Sequence, residues 1–187
     1  MDDAQSALLD FWIGPTDERR EVWFDADPAF DAALGDGFGA LARRAAEGVL
    51  DHWAETAAGA LALVLLLDQA PRNLHRGTAA AFACDAKARR VARAAITKGF
   101  DRHLPPVRRQ FLYLPFEHSE KLADQDESVR LFATLPEGEL RDDCAAYARH
   151  HHAVIARFGR FPHRNAALGR SSTEAEAEFL ASPDTPF

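Results

Sequence analysis

The sequence predicts an all-α fold, and three features carry that prediction. No segment alternates apolar and polar side chains for long enough to read as a strand. Nearly every segment instead repeats its apolar side chains at helical spacing and closes with Gly, Pro or a capping residue. The longest apolar run, Ala57 to Leu67, ends in Asp68 and Gln69 and is too short to cross a bilayer, so it reads as a buried central helix. Roughly eight to ten helices in a single domain spanning residues 1–187 are expected.

In chain order, residues 4–13 form a first helix stopped by Gly14 and Pro15. Thr16 is placed to cap a second, with Asp17 and Glu18 in a first turn where negative charge suits the helix dipole. Asp27 and Pro28 make an N-cap and N1 pair. From there Phe30, Leu34, Phe38, Leu41, Ala45 and Val49 share one face, and Gly35, Gly37 and Gly39 weaken that helix enough for a kink or break. Thr56 caps the apolar helix, which is expected to end at Pro71. A long helix from Thr78 to Lys98 closes on Gly99. Pro105 and Pro106 open another that should stop before Pro115, and Ser119 is placed to cap the next through Phe132. Residues 139–158 form the strongest amphipathic helix, and Thr173 with Glu176 is a capping box for the last one. The terminal SPDTPF reads as a docked or frayed tail.

Composition narrows the function classes. Twenty-two basic residues against 29 acidic ones give a net charge of -7. That argues against a nucleic-acid or membrane-surface binder, which needs a basic face. The basic cluster Lys87, Arg89, Arg90 and Arg93 spreads around a helix and reads as solvated surface. Cys84 and Cys144 are far apart on predicted helices and read as reduced thiols. The acidic N-terminus lacks the basic region of an export signal, so the expected location is cytoplasmic. HExxH, paired CxxC, Walker and GxSxG patterns are missing, so no metal or cofactor is expected.

Four groups of polar residues stand where apolar ones would be expected. Asp68 ends the apolar helix and needs a cationic partner, for which Arg72, Arg76 and Arg164 are candidates. Glu117, His118 and Glu120 surround a helix junction, the setting of a general acid–base pair or of a structural cap. His151 falls on the apolar stripe of Leu140, Cys144, Tyr147, Val154, Ile155 and Phe158, either as a core histidine or on a pocket wall. Residues 158–170, FGRFPHRNAALGR, mix aromatics with Arg160, His163, Arg164, Asn165 and Arg170. Guanidinium groups held on aromatic rings suit a carboxylate or phosphate, or internal ion pairs.

The stretches LLLDQAPRNLHRGTAAAFACDAKA, FLYLPFEHSE and RFGRFPHRNAALGRSSTEAEAEFL resemble the bacterial family catalogued as domain of unknown function 924. The likeness runs from the opening LLDFWIG through WFDADPAFD to the C-terminus. The positions that match are Asp68, Gln69, Pro71, Arg72, Asn73, Arg76 and Asp85, then Glu117 through Glu120, then Gly159 through Asn165 with Gly169 and Arg170. Ala70 departs from the aromatic usual there. The resemblance implies helices stacked as antiparallel pairs in a tetratricopeptide-repeat-like fold, and no established activity.

Two functional expectations result. The first is a polar pocket for a small anionic metabolite, with Glu117 and His118 as the catalytic pair. Its other lining would be Asp68, Arg72, Asn73, His151, Arg160, His163, Arg164 and Asn165, with Arg72, Arg160 and Arg164 holding the anion. The second is a non-enzymatic helical scaffold for a protein or peptide, its polar motifs serving as internal ion pairs. A homo-oligomer is a further expected partner state.

Overall fold

A computed structural model describes residues 2–23 and 26–182; the expected terminal tail from residue 183 onward lies outside them. Among the described residues there are helices and connections only. The α-helices are α1 (Asp3–Trp12), α2 (Pro28–Ala46), α3 (Ala57–Val64), α4 (Ala70–Leu74), α5 (Asp85–Thr97), α6 (Pro106–Glu117), α7 (Leu122–Phe132), α8 (Glu139–Phe158) and α9 (Glu174–Leu180). The π-helical turn Leu65–Gln69 joins α3 to α4, so those two form one interrupted rod and the described residues make eight helical rods. None of the helices among the described residues is long and apolar enough to cross a membrane.

The interrupted rod is the centre of the molecule. Its residues Ala60 to Leu67 are all buried, and they pack against α1, α2, α5 and α6. Thr56 caps the rod by accepting from Gly59 N–H at 3.1 Å. A side chain at Gly59 would place its Cβ 2.2 Å from the Trp53 carbonyl oxygen, so only glycine lets the rod start this close to the preceding turn. After α4 the helices α5, α6, α7 and α8 each pack on the next. Their short connections set neighbours antiparallel.

Several helix ends differ from the sequence expectation, each for a physical reason. The rod does not end at Pro71. Pro71 lacks an N–H for the carbonyl four residues back, and the chain passes it by widening into the π-turn, where the Ala70 N–H bonds to Leu65. Likewise α6 runs through Pro115 to Glu117. Fully buried Gln125 on α7 donates to the Glu117 and Ser119 carbonyls at 2.6 Å each, a tertiary cap that extends the helix. Ser119 does not cap α7 directly, and instead donates to Asp124 at 2.7 Å and accepts from Lys121 N–H.

Residues 16–20 are not helical; a single 3-10 turn, Glu21–Trp23, follows them. Asp17 is in the left-handed region at φ 51° and pairs with Arg108. Arg20 and Trp23 fold back to donate to the last carbonyls of α1, which the helix alone leaves unsatisfied. The expected Thr78–Lys98 helix is divided into a 3-10 turn, Ala79–Phe82, and α5. In α2 the three glycines leave the helix unbroken from Pro28 to Ala46, because Phe30, Leu34 and Ala45 anchor it to the core. The basic side chains near α5 are structural: Lys87 reaches Ala45 and Asp51, and Arg89 and Arg93 both pair with Asp124.

Candidate functional site

The three polar motifs meet, and Asp68 is the link between the first two. It lies in the π-turn with 0 % of its surface exposed. His118, the cap residue of α6, presents Nδ1 to both Asp68 oxygens at 2.8 and 3.0 Å. Gln69 donates to Asp68 Oδ2 at 2.6 Å, and Arg72 Nη1 stands 3.3 Å from Oδ1. Burial opposes ionisation of Asp68, but Arg72, His118 and Gln69 together hold its carboxyl well below the usual range. The His118 pKa is lowered as well, which for an imidazole favours the neutral form. Burial and then the Arg72 charge lower its pKa despite Asp68 beside it. The pair is therefore a carboxylate bonded to a neutral imidazole. Nδ1 must carry the hydrogen, which leaves Nε2 with its lone pair.

Glu117 has the opposite environment. It is 4 % exposed, and its Oε2 has no hydrogen-bond partner among the described residues. Its Oε1 lies 3.6 Å from His151 Nδ1, beyond a good hydrogen bond, and that nitrogen already bonds to the Tyr147 carbonyl at 2.9 Å. Burial and the Asp68 charge push the Glu117 carboxyl up to about 8. One helix end thus carries a protonated acid next to a carboxylate-oriented neutral base. Burial likewise holds His151 neutral, at about 3.

These groups border a cavity of about 370 Å³. Glu117, His118, Arg72, Asn73 and His151 all line it, with Asp68 directly behind His118. The stripe Leu140, Cys144, Tyr147 and His151 on α8 forms a wall, so the sequence periodicity marked a cavity face where a core face was the simpler reading. Arg19, Trp23, Gln69, Arg76, Gln110, Phe132 and Asp143 complete its polar and aromatic lining. No local motif announces Arg19, Trp23 or Gln110 as lining; only the tertiary fold brings them in. Cys144 is a poor nucleophile, because burial and then Glu117 push its thiol up to about 12. Among the described residues no group of three His, Cys, Asp or Glu side chains is arranged to hold a metal ion.

The third motif lies beside the cavity without lining it. Arg164, only 6 % exposed, sits between the rings of Phe82 and Phe161 at 4.5 Å from each centroid, and its Nη1 is 3.3 Å from Asp85. Asp85 also takes the Arg72 fork at 2.9 and 3.1 Å. Arg164 and Arg72 therefore share Asp85, and Arg72 also reaches Asp68, which His118 holds from the other helix end. Arg160 forks onto Glu176 at 2.6 and 2.8 Å, and Asn165 bonds Ser172 and Glu176. His163 packs on Phe161, the ring that also meets His151 edge-on at 5.5 Å. Glu120 closes the triangle by accepting two bonds from Arg170 and one from the Phe161 N–H.

A solved structure of a protein of unknown function from Agrobacterium tumefaciens is similar at 42 % identity and a TM-score of 0.85, with 95 % of this chain and 96 % of that one covered. No curated protein matches. The model of the family described as bacterial protein of unknown function (DUF924) matches residues 8–184. With that span matched, the chain belongs to the DUF924 family of bacterial proteins.

Proposed function

We propose that the cavity binds a small anionic metabolite and performs acid–base chemistry on it. The observation that carries this reading is the buried Glu117 carboxyl, whose Oε2 has no hydrogen-bond partner among the described residues, beside the Asp68–His118 pair; burial and the Asp68 charge favour its protonated form. Neighbouring groups whose environments drive their pKa values apart are suited to act as acid and base in one step. His118 Nε2 takes a proton from the substrate or from an attacking water, and Glu117 gives its proton to the oxygen or nitrogen that gains charge. Asp68 is a positioning residue that fixes the imidazole tautomer. Arg72, with Arg19 and Arg76 on the same cavity, supplies the donors for an anionic group. Cys84 and Cys144 are both free thiols, which fits a cytoplasmic setting.

A proton-NMR screen tests this reading. It would follow hydrolysis of carboxylate-bearing esters and amides, and solvent deuterium exchange next to the carbonyl of 2-oxo and 3-oxo acids. Turnover should fall by about 10²–10⁴-fold in His118→Asn. Turnover that survives unchanged in that variant, or its absence across the panel, would defeat the proposal.

The rival reading is a helical scaffold, tetratricopeptide-repeat-like in its stacking, that binds a protein or a second copy of itself. It is supported by Arg160, Arg164 and Arg170, whose charged heads all face carboxylates of the same chain. A scaffold needs no protonated Glu117, so a stable His118→Asn variant that keeps every binding property of the parent would favour it.

A further inference from the structure

The cavity's charge balance narrows the class of ligand beyond "anionic". Each arginine on the cavity already faces a carboxylate of the chain: Arg19 meets Asp143, Arg72 meets Asp85, and Arg76 forks onto Asp31 at 2.9 and 3.1 Å. No surplus positive charge is left for a doubly charged group, and the Asp143 carboxylate on the same walls opposes one. A phosphate monoester or a diphosphate is therefore a poor fit.

A single carboxylate has a place at one edge. Arg76 uses Nε and Nη2 on Asp31, which leaves Nη1 without a partner among the described residues. Asn73 donates to the same Asp31 at 2.7 Å, so both side chains are held in place at the cavity edge. The cavity walls also include Trp23, Leu114 and Phe132. Leu114 is one turn before Glu117 on α6, so it shares that face of the helix. The same walls also carry neutral donors and acceptors, among them the Gln110 amide and the Cys144 thiol, bonded to each other at 3.6 Å.

Building on the cavity reading above, we propose that the ligand is a small monocarboxylate with an apolar body and one neutral carbonyl or amide group. Its carboxylate lies at Arg76 and Asn73, its body against Leu114 and Phe132, and its carbonyl oxygen accepts from Glu117. A volume of about 370 Å³ is at the small end for ligand sites and suits a compact molecule.

Calorimetric titration and thermal shift test this with 4-oxopentanoate, N-acetylglycinate and 3-benzoylpropionate as probes, and with inorganic phosphate, pyrophosphate and hexanamide for contrast. At least one monocarboxylate should bind and raise Tm, with phosphate and pyrophosphate giving no shift. Arg76→Ala should weaken that binding at least tenfold. Asp31→Asn, which frees the Arg76 fork, should leave it equal or tighter. The inference is overturned if pyrophosphate stabilises more than every monocarboxylate, if none of the monocarboxylates binds, or if Arg76→Ala binds like the parent. Binding without any turnover would sink the acid–base reading alone. Turnover confined to phosphate-bearing compounds would sink this inference alone.

Discussion

The cavity end of α6 and the clamp formed by residues 158–176 use the same residue types to opposite effect. In the clamp, each guanidinium head meets a carboxylate: Arg160 with Glu176, Arg164 with Asp85 and Arg170 with Glu120. Each carboxylate there is matched by guanidinium donors, although Arg164 Nε, Arg170 Nε and Asn165 Oδ1 have no hydrogen-bond partner among the described residues, and the result is a set of staples. At the cavity the balance is left open at one group. Asp68 has three donors, whereas Glu117, its neighbour in space, has an oxygen with none. An arginine-rich and acid-rich segment thus becomes structural or reactive according to how many donors reach each buried carboxyl.

The largest effect that separates the two regions should come from Arg164→Ala. It leaves the Phe82 and Phe161 rings without their cation and Asp85 with one partner fewer, and should cost about 3–5 kcal/mol in denaturant unfolding. Arg164→Met, which keeps the volume, should recover part of that loss. A fully stable Arg164→Ala that lost only ligand binding would move this residue from the clamp to the site.

Glu117→Gln should act in the opposite direction, and only at higher pH. In the native protein the Glu117 pKa is raised to about 8 from an ordinary value of 4.5, so the folded state retains a proton that the unfolded chain releases. Native stability should therefore decline as pH rises from 4.5 to about 8 and level off above that. The glutamine variant lacks this slope and should be more stable than the parent at pH 8 by on the order of a few kcal/mol, with little difference near pH 4.

A smaller effect is expected at Glu120. Burial raises its pKa, but the bonds from Arg170 and the Phe161 N–H outweigh this and set it below the ordinary 4.5. Its stabilisation is present above that value and is lost as pH falls through the lower folded value. Glu120→Gln should cost about 1–3 kcal/mol at neutral pH and flatten the acid limb of the stability profile. The smallest change is outside both regions. Gly37 is exposed in α2 with open space around it, and Gly37→Ala should stabilise by about 0.5–1 kcal/mol.

Much of the fold was legible because the helix ends are marked by local chemistry. The caps at Asp27, Thr56 and Thr173 and the left-handed glycines at 99 and 159 stand where the residue types predicted them. The misread ends are those decided at long range. Pro71 and Pro115 signal a stop, yet the π-turn and the Gln125 cap carry the chain past them. Thr16 signals a start, but Arg20, Trp23 and Arg108 hold that segment in a non-helical path. The site was legible to the extent that its polar residues stood out from apolar surroundings, as with Asp68, Glu117, His118 and His151. Which carboxyl would be neutral was not, since that depends on donors contributed by other helices.

The central claim, that Glu117 is a neutral acid beside an ionised Asp68, is most directly tested by carbon-13 NMR titration of the side-chain carboxyls, with Glu117 assigned by its loss in Glu117→Gln. The account predicts that Glu117 titrates near 8 and that Asp68 stays ionised well below the ordinary 3.8. A Glu117 carboxyl that titrates near 4.5 would contradict it.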